Sequence, residues 1–561
     1  MSEQLDLLIH GGVLVDGTGA PAREGDVGIR GGRIVALGKV DAPAKRTIAA
    51  RDRVVAPGFV DIHTHYDAQI FWDRLLTISP WHGVTSVVMG NCGFGIAPTR
   101  AAHRELILRT LENVEGMSLD ALVAGVGDDW PFETFPQYLD AIERRGSALN
   151  VGALIGHTPL RLFVMGEEAT EREATEDEIA KMRAIVRDAL DAGALGFATS
   201  QAPTHVGYGG RPVPSRAATV AEIETLASCL GDAGHGVLQA TIGRGFFLDE
   251  MAAIQRRTSR PVTWTALLAG MMGPDGHKWV LQKTAEMQSA GVDVVPQVSC
   301  RPLMVEFQFR APFPFESLPF FQPVSAADRA GKARIYADPD FRAKFREHGQ
   351  GGVLAARWQD TTISEAPSEP ALNERNLAEV AEQRGVHPVD LMLDLALASN
   401  LEARFRMAVT NTDETIVGEL LRDPTVALGL SDAGAHASQL CDASFSTHLL
   451  GHWVREKKAL SLENAVRLLT SRGADLFGLA GRGRLAVGAA ADVVVFDPDT
   501  VGCSPLRRVH DLPAGADRLV CDAIGVQAVV VNGVAIREDG RDALAATDPL
   551  PGRLLRGGKS A

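Results

Sequence analysis

Cysteine is scarce: six residues (Cys92, Cys229, Cys300, Cys441, Cys503 and Cys521) are scattered over 561 positions. Such a scatter does not form a disulfide framework, and a reducing cytoplasm is the expected setting. No stretch approaches the ~20 uninterrupted apolar residues of a membrane-spanning helix. The opening Met1-Ser2-Glu3-Gln4-Leu5-Asp6 lacks the basic segment of a secretory leader. Positive charge is in deficit, with 56 Lys and Arg against 70 Asp and Glu, a net charge of −14. That balance disfavours nucleic acid and anionic membrane surfaces as partners. Phosphate-loop and dinucleotide fingerprints are missing from any strand–turn–helix context. What is present builds a core: 45% of residues are apolar and mean hydropathy is +0.02. The length exceeds one ordinary domain but suits a barrel with insertions.

Residues 5–50 alternate short β-like runs with Gly-Gly turns, and the C-terminal region returns to that style in Ala491–Asp497 and Val526–Gly533. Two β-rich ends around a long αβ middle predict one β-sandwich domain built from residues 1–55 and 484–545. The middle, 56–483, offers eight strand candidates: 54–64, 85–91, 149–156, 193–199, 236–242, 260–268, 292–299 and 426–432. Amphipathic helices such as 177–192 and 219–233 lie between them, a pattern that predicts a (β/α)₈ TIM-like barrel in an α/β fold. A lid-like insertion is expected at about 302–370. Its Pro- and Phe-rich start, 302–324, reads equally as a lid near the mouth or as a crossover packed outside, and the run Phe307–Phe315 as a surface for a larger aromatic substrate or equally as core.

Chemistry concentrates at the predicted strand ends. Pro57-Gly58-Phe59-Val60-Asp61-Ile62-His63-Thr64-His65 places two imidazoles at i and i+2, on one face of a strand. At the C-terminal end of a barrel strand they face the mouth, where barrel enzymes keep their chemistry. Neutral imidazoles so spaced can hold a divalent metal. Cys92, at the end of the second strand in Gly90-Asn91-Cys92-Gly93, can approach the same metal as thiolate. Asp432, ending the eighth strand, can ligate the metal and accept the proton of an attacking water. His436, four residues on, reads as a substrate contact or a surface loop residue. His157, after the third strand, reads as a polar substrate or oxyanion contact, or as a histidine satisfied by its neighbours. Arg161, Arg211 and Arg301 are candidate carboxylate clamps.

On these motifs, with Gly156-His157-Thr158-Pro159-Leu160-Arg161, Leu430-Ser431-Asp432 and Gly481–Asp492, the chain resembles the amidohydrolase superfamily over nearly its whole length. Within it, the chain is similar to the D-aminoacylase (N-acyl-D-amino-acid deacylase) family. The resemblance implies a zinc-dependent hydrolase of a C–N bond acting on a small-molecule substrate, with His63, His65, Cys92 and Asp432 on metal or catalytic positions. The departures matter too. The histidines that the family carries at the ends of strands five and six are replaced in Gln239-Ala240-Thr241 and Thr263-Trp264-Thr265. The lysine after the strand-six histidine is missing, and no lysine stands at the end of strand four. The remaining donors suffice for one zinc ion, whereas a second would need His205, His277 or His436. The expected function is hydrolysis of the amide of a small N-acyl amino acid-like substrate. The alternatives are a cyclic amide or imide hydrolase of the hydantoinase kind and a non-catalytic metal-binding relative. A homo-oligomeric assembly is left open.

Overall fold

The first predicted strand is two strands. In the computed structural model, which describes residues 4–243, 245–316, 318–349 and 357–558, Val54–Pro57 and Phe59–Asp61 are separated at Gly58. A Cβ at Gly58 would lie 2.2 Å from the Thr85 side chain, so only glycine lets the chain pass so close. Val54–Pro57 pairs with Leu5–Leu14 and Val493–Phe496 in a β-rich domain. Phe59–Asp61 begins the barrel. The passage between the two folding units, at Gly58, is therefore three residues upstream of Asp61, where the acidic and imidazole-bearing run begins.

The barrel strands are β1 (Phe59–Asp61), β2 (Val84–Met89), β3 (Asn150–Gly156), β4 (Gly196–Ser200), β5 (Val237–Thr241), β6 (Val262–Thr265), β7 (Val294–Val298) and β8 (Ala427–Leu428). They pair in parallel in that order, and a parallel bridge between Thr64 and Ala433 brings the two ends together. Parallel strands covered on both faces are apolar throughout. Val60, Val88, Leu154, Ala198, Val237, Val295 and Ala427 form one buried interior cluster. Helices alternate with the strands and start at sequence-encoded caps. Glu176–Ala192 opens on a capping box between Thr175 and Glu178, and Val220–Ala233 opens on Thr219. Strand β8 stops short of the expected 426–432. Leu430 and Asp432 take φ of 61° and 45°, which a continuing ladder does not allow.

Strands from both termini merge into a nine-stranded sheet around Leu7, Ile9, Val27, Ile29, Val493, Val495 and Val530. The segment after β7 builds an antiparallel sheet from Leu303–Gln308, Thr361–Glu365, Arg375–Asn376 and Arg404–Thr410. Through Arg404–Thr410 it runs further than the 302–370 read from the sequence; residues 317 and 350–356 of that stretch lie outside the described residues. Its phenylalanines are core, not mouth. Phe307, Phe309, Phe315, Phe321, Phe345 and Phe405 bury one another, with Phe307 and Phe315 ring centroids 5.2 Å apart. Among the described residues no helix is long and apolar enough to cross a membrane.

Candidate metal centre

Just past β1, His63 and His65 are buried side by side. Each imidazole has one nitrogen engaged behind it and one aimed at a shared point. His63 Nδ1 lies 2.8 Å from Gln297 Oε1 on β7. Its Nε2 lies 3.4 Å from Cys92 Sγ and 3.3 Å from Asp432 Oδ1. His65 Nδ1 lies 3.1 Å from Glu115 Oε1, and its Nε2 lies 3.8 Å from Asp432 Oδ1. One donor atom each from His63, His65 and Cys92 falls within 4.8 Å of the others. Metal–ligand bonds of ~2.0–2.3 Å at tetrahedral angles put neighbouring donors ~3.3–3.8 Å apart. The 3.4 Å from His63 to Cys92 and the 3.3 and 3.8 Å from Asp432 to His63 and His65 match.

Backbone shape delivers Cys92 and Asp432. Cys92 sits at φ 57° in the turn Asn91–Gly93 after β2, its N–H donating to Gln239 Oε1 at 2.6 Å. Gly90, at φ 86°, precedes it; a Cβ there would meet the Leu154 carbonyl oxygen at 2.3 Å, so glycine lets the turn lie against β3. Asp432 also takes a left-handed conformation. Non-glycine residues held at positive φ cluster at functional sites.

The electrostatics suit a cation. Burial pulls the Asp432 carboxyl upward, yet the nearby imidazoles of His65, His63 and His436 hold it well below the usual carboxylate range. Burial likewise opposes ionisation of Cys92, and His63 and His65 outweigh it, drawing the thiol well down. Burial pushes Glu115 up to about 8, against the pull of His65. Asp432 Oδ1 and Glu115 Oε1 are buried with no well-aligned hydrogen bond among the described residues. Two imidazoles, a thiolate and an orphaned carboxylate oxygen form a donor set that can hold a zinc ion.

These groups face a cavity of about 490 Å³. Arg301 and His436 line it, together with Glu115, His205 and Asp442. Arg301 Nε lies 2.8 Å from Asp442 Oδ1, and its Nη1 donates to Ser444 Oγ at 3.0 Å. Leu268, Met271, Leu303 and Met304 form an apolar wall.

His157 and Arg161 do not line this cavity, and the expectation that they bind substrate is corrected. Both His157 ring nitrogens are engaged, Nδ1 with Thr199 Oγ1 at 2.8 Å and Nε2 with Glu222 Oε1 at 2.9 Å. Arg161 Nη1 donates to both Glu222 oxygens at 2.6 and 2.5 Å, and its Nη2 to the Arg172 carbonyl at 2.7 Å. Of the remaining candidates, Arg211 pairs with Glu171 on the surface, and His277 Nε2 lies 3.3 Å from Glu419 outside the cavity.

Three functional neighbours escaped the sequence reading. Gln239 and Gln297 were detectable as polar side chains in the middle of apolar strands. Glu115 carried no such signal, because it ends an amphipathic helix far from any strand.

A sequence model of the amidohydrolase family matches residues 46–311 and 317–537. An N-acyl-D-glutamate deacylase of Alcaligenes xylosoxydans xylosoxydans is 33% identical over 99% of this chain and 97% of its own length. The structure of a D-aminoacylase, described in terms of a binuclear metal centre with one-metal activation and second-metal attenuation, superposes with a TM-score of 0.67 at 29% identity. It covers 98% of this chain and 100% of that one. An N-acyl-D-glutamate deacylase of Bordetella bronchiseptica, in complex with zinc and a phosphonate mimic of the tetrahedral intermediate, also gives a TM-score of 0.67. Its identity is 27%, with 99% of this chain and 100% of that one covered.

Proposed function

The chain belongs to the amidohydrolase family and hydrolyses carbon–nitrogen bonds other than peptide bonds, and we propose that it cleaves the amide of a small N-acyl amino acid-like substrate at one zinc ion held by His63, His65, Cys92 and Asp432. The support for one ion rather than two lies in the ends of β5 and β6, where Thr241 and Thr265 stand at the cavity and no histidine does. Zinc bound at this cluster supplies a nucleophile from water near neutral pH and polarises the scissile carbonyl.

The protein's own groups do the rest. Gln297 accepts from Nδ1 of His63 and so keeps its Nε2 free to ligate. Asp432, held ionised at neutral pH, would accept the proton of the attacking water on its carboxylate and pass it to the leaving nitrogen. Arg301 receives the substrate carboxylate on the cavity wall, and His436 contacts the substrate beside it. A reducing cytoplasm is in keeping with six cysteines that are all free thiols.

The observation that carries this reading is the orphaned Asp432 Oδ1, 3.3 Å from His63 Nε2 at the cavity. Asp432→Asn is expected to keep its fold and its zinc and to lose turnover about 10²–10⁴-fold on N-acyl amino acids. Turnover equal to that of the parent enzyme would remove Asp432 from the mechanism. Elemental analysis is expected to find one zinc per chain, and two would overturn the single-ion assignment.

A further inference from the structure

Glu115 is a buried carboxylate in the cavity that the proposed reaction does not use. It is the last residue of the helix Arg104–Glu115, in the excursion between β2 and β3. Its side chain is only 4% exposed, and Oε1 lies 3.1 Å from His65 Nδ1. Among the groups that act on it, His65 favours its ionised form, and Cys92, Asp432 and Asp67 oppose it; His436 packs against the same helix end. A carboxylate buried in such company is costly unless positive charge is held nearby.

The two histidines are backed differently. His63 has a neutral amide behind it, Gln297, whereas His65 has a carboxylate. A carboxylate on the far nitrogen of a ligating imidazole fixes its orientation and raises its basicity. The backbone of the same residue reaches the other side of the site, because the His436 N–H donates to the Glu115 carbonyl oxygen. Gly116, at φ 58°, follows; a Cβ there would lie 3.2 Å from His436 Nδ1, so the helix end and the loop after β8 are packed together.

We propose that Glu115 is the positioning residue of the zinc centre: its carboxylate holds His65 with Nε2 toward the ion, and its carbonyl ties that helix end to the loop carrying Asp432. This assignment rests on the zinc reading above. It gives the excursion between β2 and β3 a role in metal retention.

The test compares the purified full-length enzyme with Glu115→Gln and Glu115→Ala. Zinc dissociation constants are measured by competition with a chromogenic chelator, and the visible spectrum is recorded after cobalt substitution. Glu115→Ala is expected to bind zinc about 10–100-fold more weakly. Glu115→Gln, which keeps an oxygen beside Nδ1 but not the charge, is expected to lose less. The cobalt spectrum is expected to show the same coordination number in all three proteins. Unchanged zinc affinity in Glu115→Ala overturns the proposal, as does a cobalt spectrum in which Glu115→Gln loses a ligand, since Glu115 would then bind the ion directly. If Glu115→Ala does not fold, Glu115→Gln decides the matter by the same two measurements. A parent enzyme that takes up no zinc would instead overturn the zinc reading, and the proposal with it.

Discussion

Two histidine-bearing clusters stand behind strand ends of the barrel, one strand apart, and they differ in how fully their polar atoms are satisfied. Behind β3, His157, Arg161, Glu222 and Thr199 form a closed set: the carboxylate is shared by an imidazole and a guanidinium, and both imidazole nitrogens are engaged. Nothing in that set faces the cavity. Behind β1, His63, His65, Cys92 and Asp432 converge on one point, yet a carboxylate oxygen there finds no well-aligned hydrogen-bond donor. Both clusters are buried and both contain histidine and an acid. The first is complete as protein, whereas the second has the spacing and charge of a shell around a cation. Burial and residue type alone do not separate a structural ion-pair network from a reactive centre. Unsatisfied valence at a cavity does.

The contrast can be broken most directly at His63. His63→Ala is expected to abolish zinc retention and turnover while the chain stays folded, as read by elemental analysis and circular dichroism. A variant that kept stoichiometric zinc would make the cluster behind β1 as self-sufficient as the other. Next in size is Glu222→Gln, which leaves the buried Arg161 guanidinium without its counter-charge. Breaking a buried pair by removing one partner costs about 3–5 kcal/mol, to be seen in chemical denaturation. Zinc content and kcat of the folded fraction are expected to be unchanged, and a selective loss of either would join the two clusters into one site.

Acid sharpens the same comparison with a smaller effect. Burial would raise the Glu222 carboxyl, but the hydrogen bond from His157 and the charges of His157 and Arg161 outweigh it and hold the group below its ordinary value. A carboxyl depressed in the fold contributes stability above its unfolded pKa of about 4.3, and that contribution is lost as pH falls through the folded value. The denaturation midpoint is therefore expected to fall on acidification below about pH 4, less steeply in Glu222→Gln than in the parent. The smallest effect is expected of Arg301→Lys, which keeps the charge but loses the fork of donors. KM for a carboxylate-bearing substrate is expected to rise about tenfold, equivalent to ~1.4 kcal/mol, with kcat nearly unchanged. An equal loss in kcat would place Arg301 on the reacting atoms.

Much of the barrel was legible because its strands are apolar runs between amphipathic helices, and each of the eight observed strands overlaps the run where the pattern put it. The misjudged stretches have local causes. Gly58 divides the first run because the chain must pass against Thr85, and β8 ends early because Leu430 and Asp432 adopt left-handed backbone. The phenylalanines after Pro302 left a mouth, an outer crossover and a core open. They became a core because the strand Leu303–Gln308 found a partner in Arg404–Thr410, about a hundred residues away. His157 and Arg161 were read as substrate contacts from their place after β3. Nothing near them in the chain announces Glu222, which arrives on another helix.

By itself the sequence determined the alternation of strand and helix, the i, i+2 spacing of His63 and His65, and the presence of an acid and a thiol at other strand ends. These follow from periodicity and side-chain chemistry, which act over a few residues. Only the tertiary structure decided which of those groups meet, which histidines are already satisfied, and that Glu115 and Gln297 stand behind the two imidazoles. Those outcomes depend on contacts between segments tens to hundreds of residues apart, and on whether each buried polar atom finds a partner once the chain has closed around it.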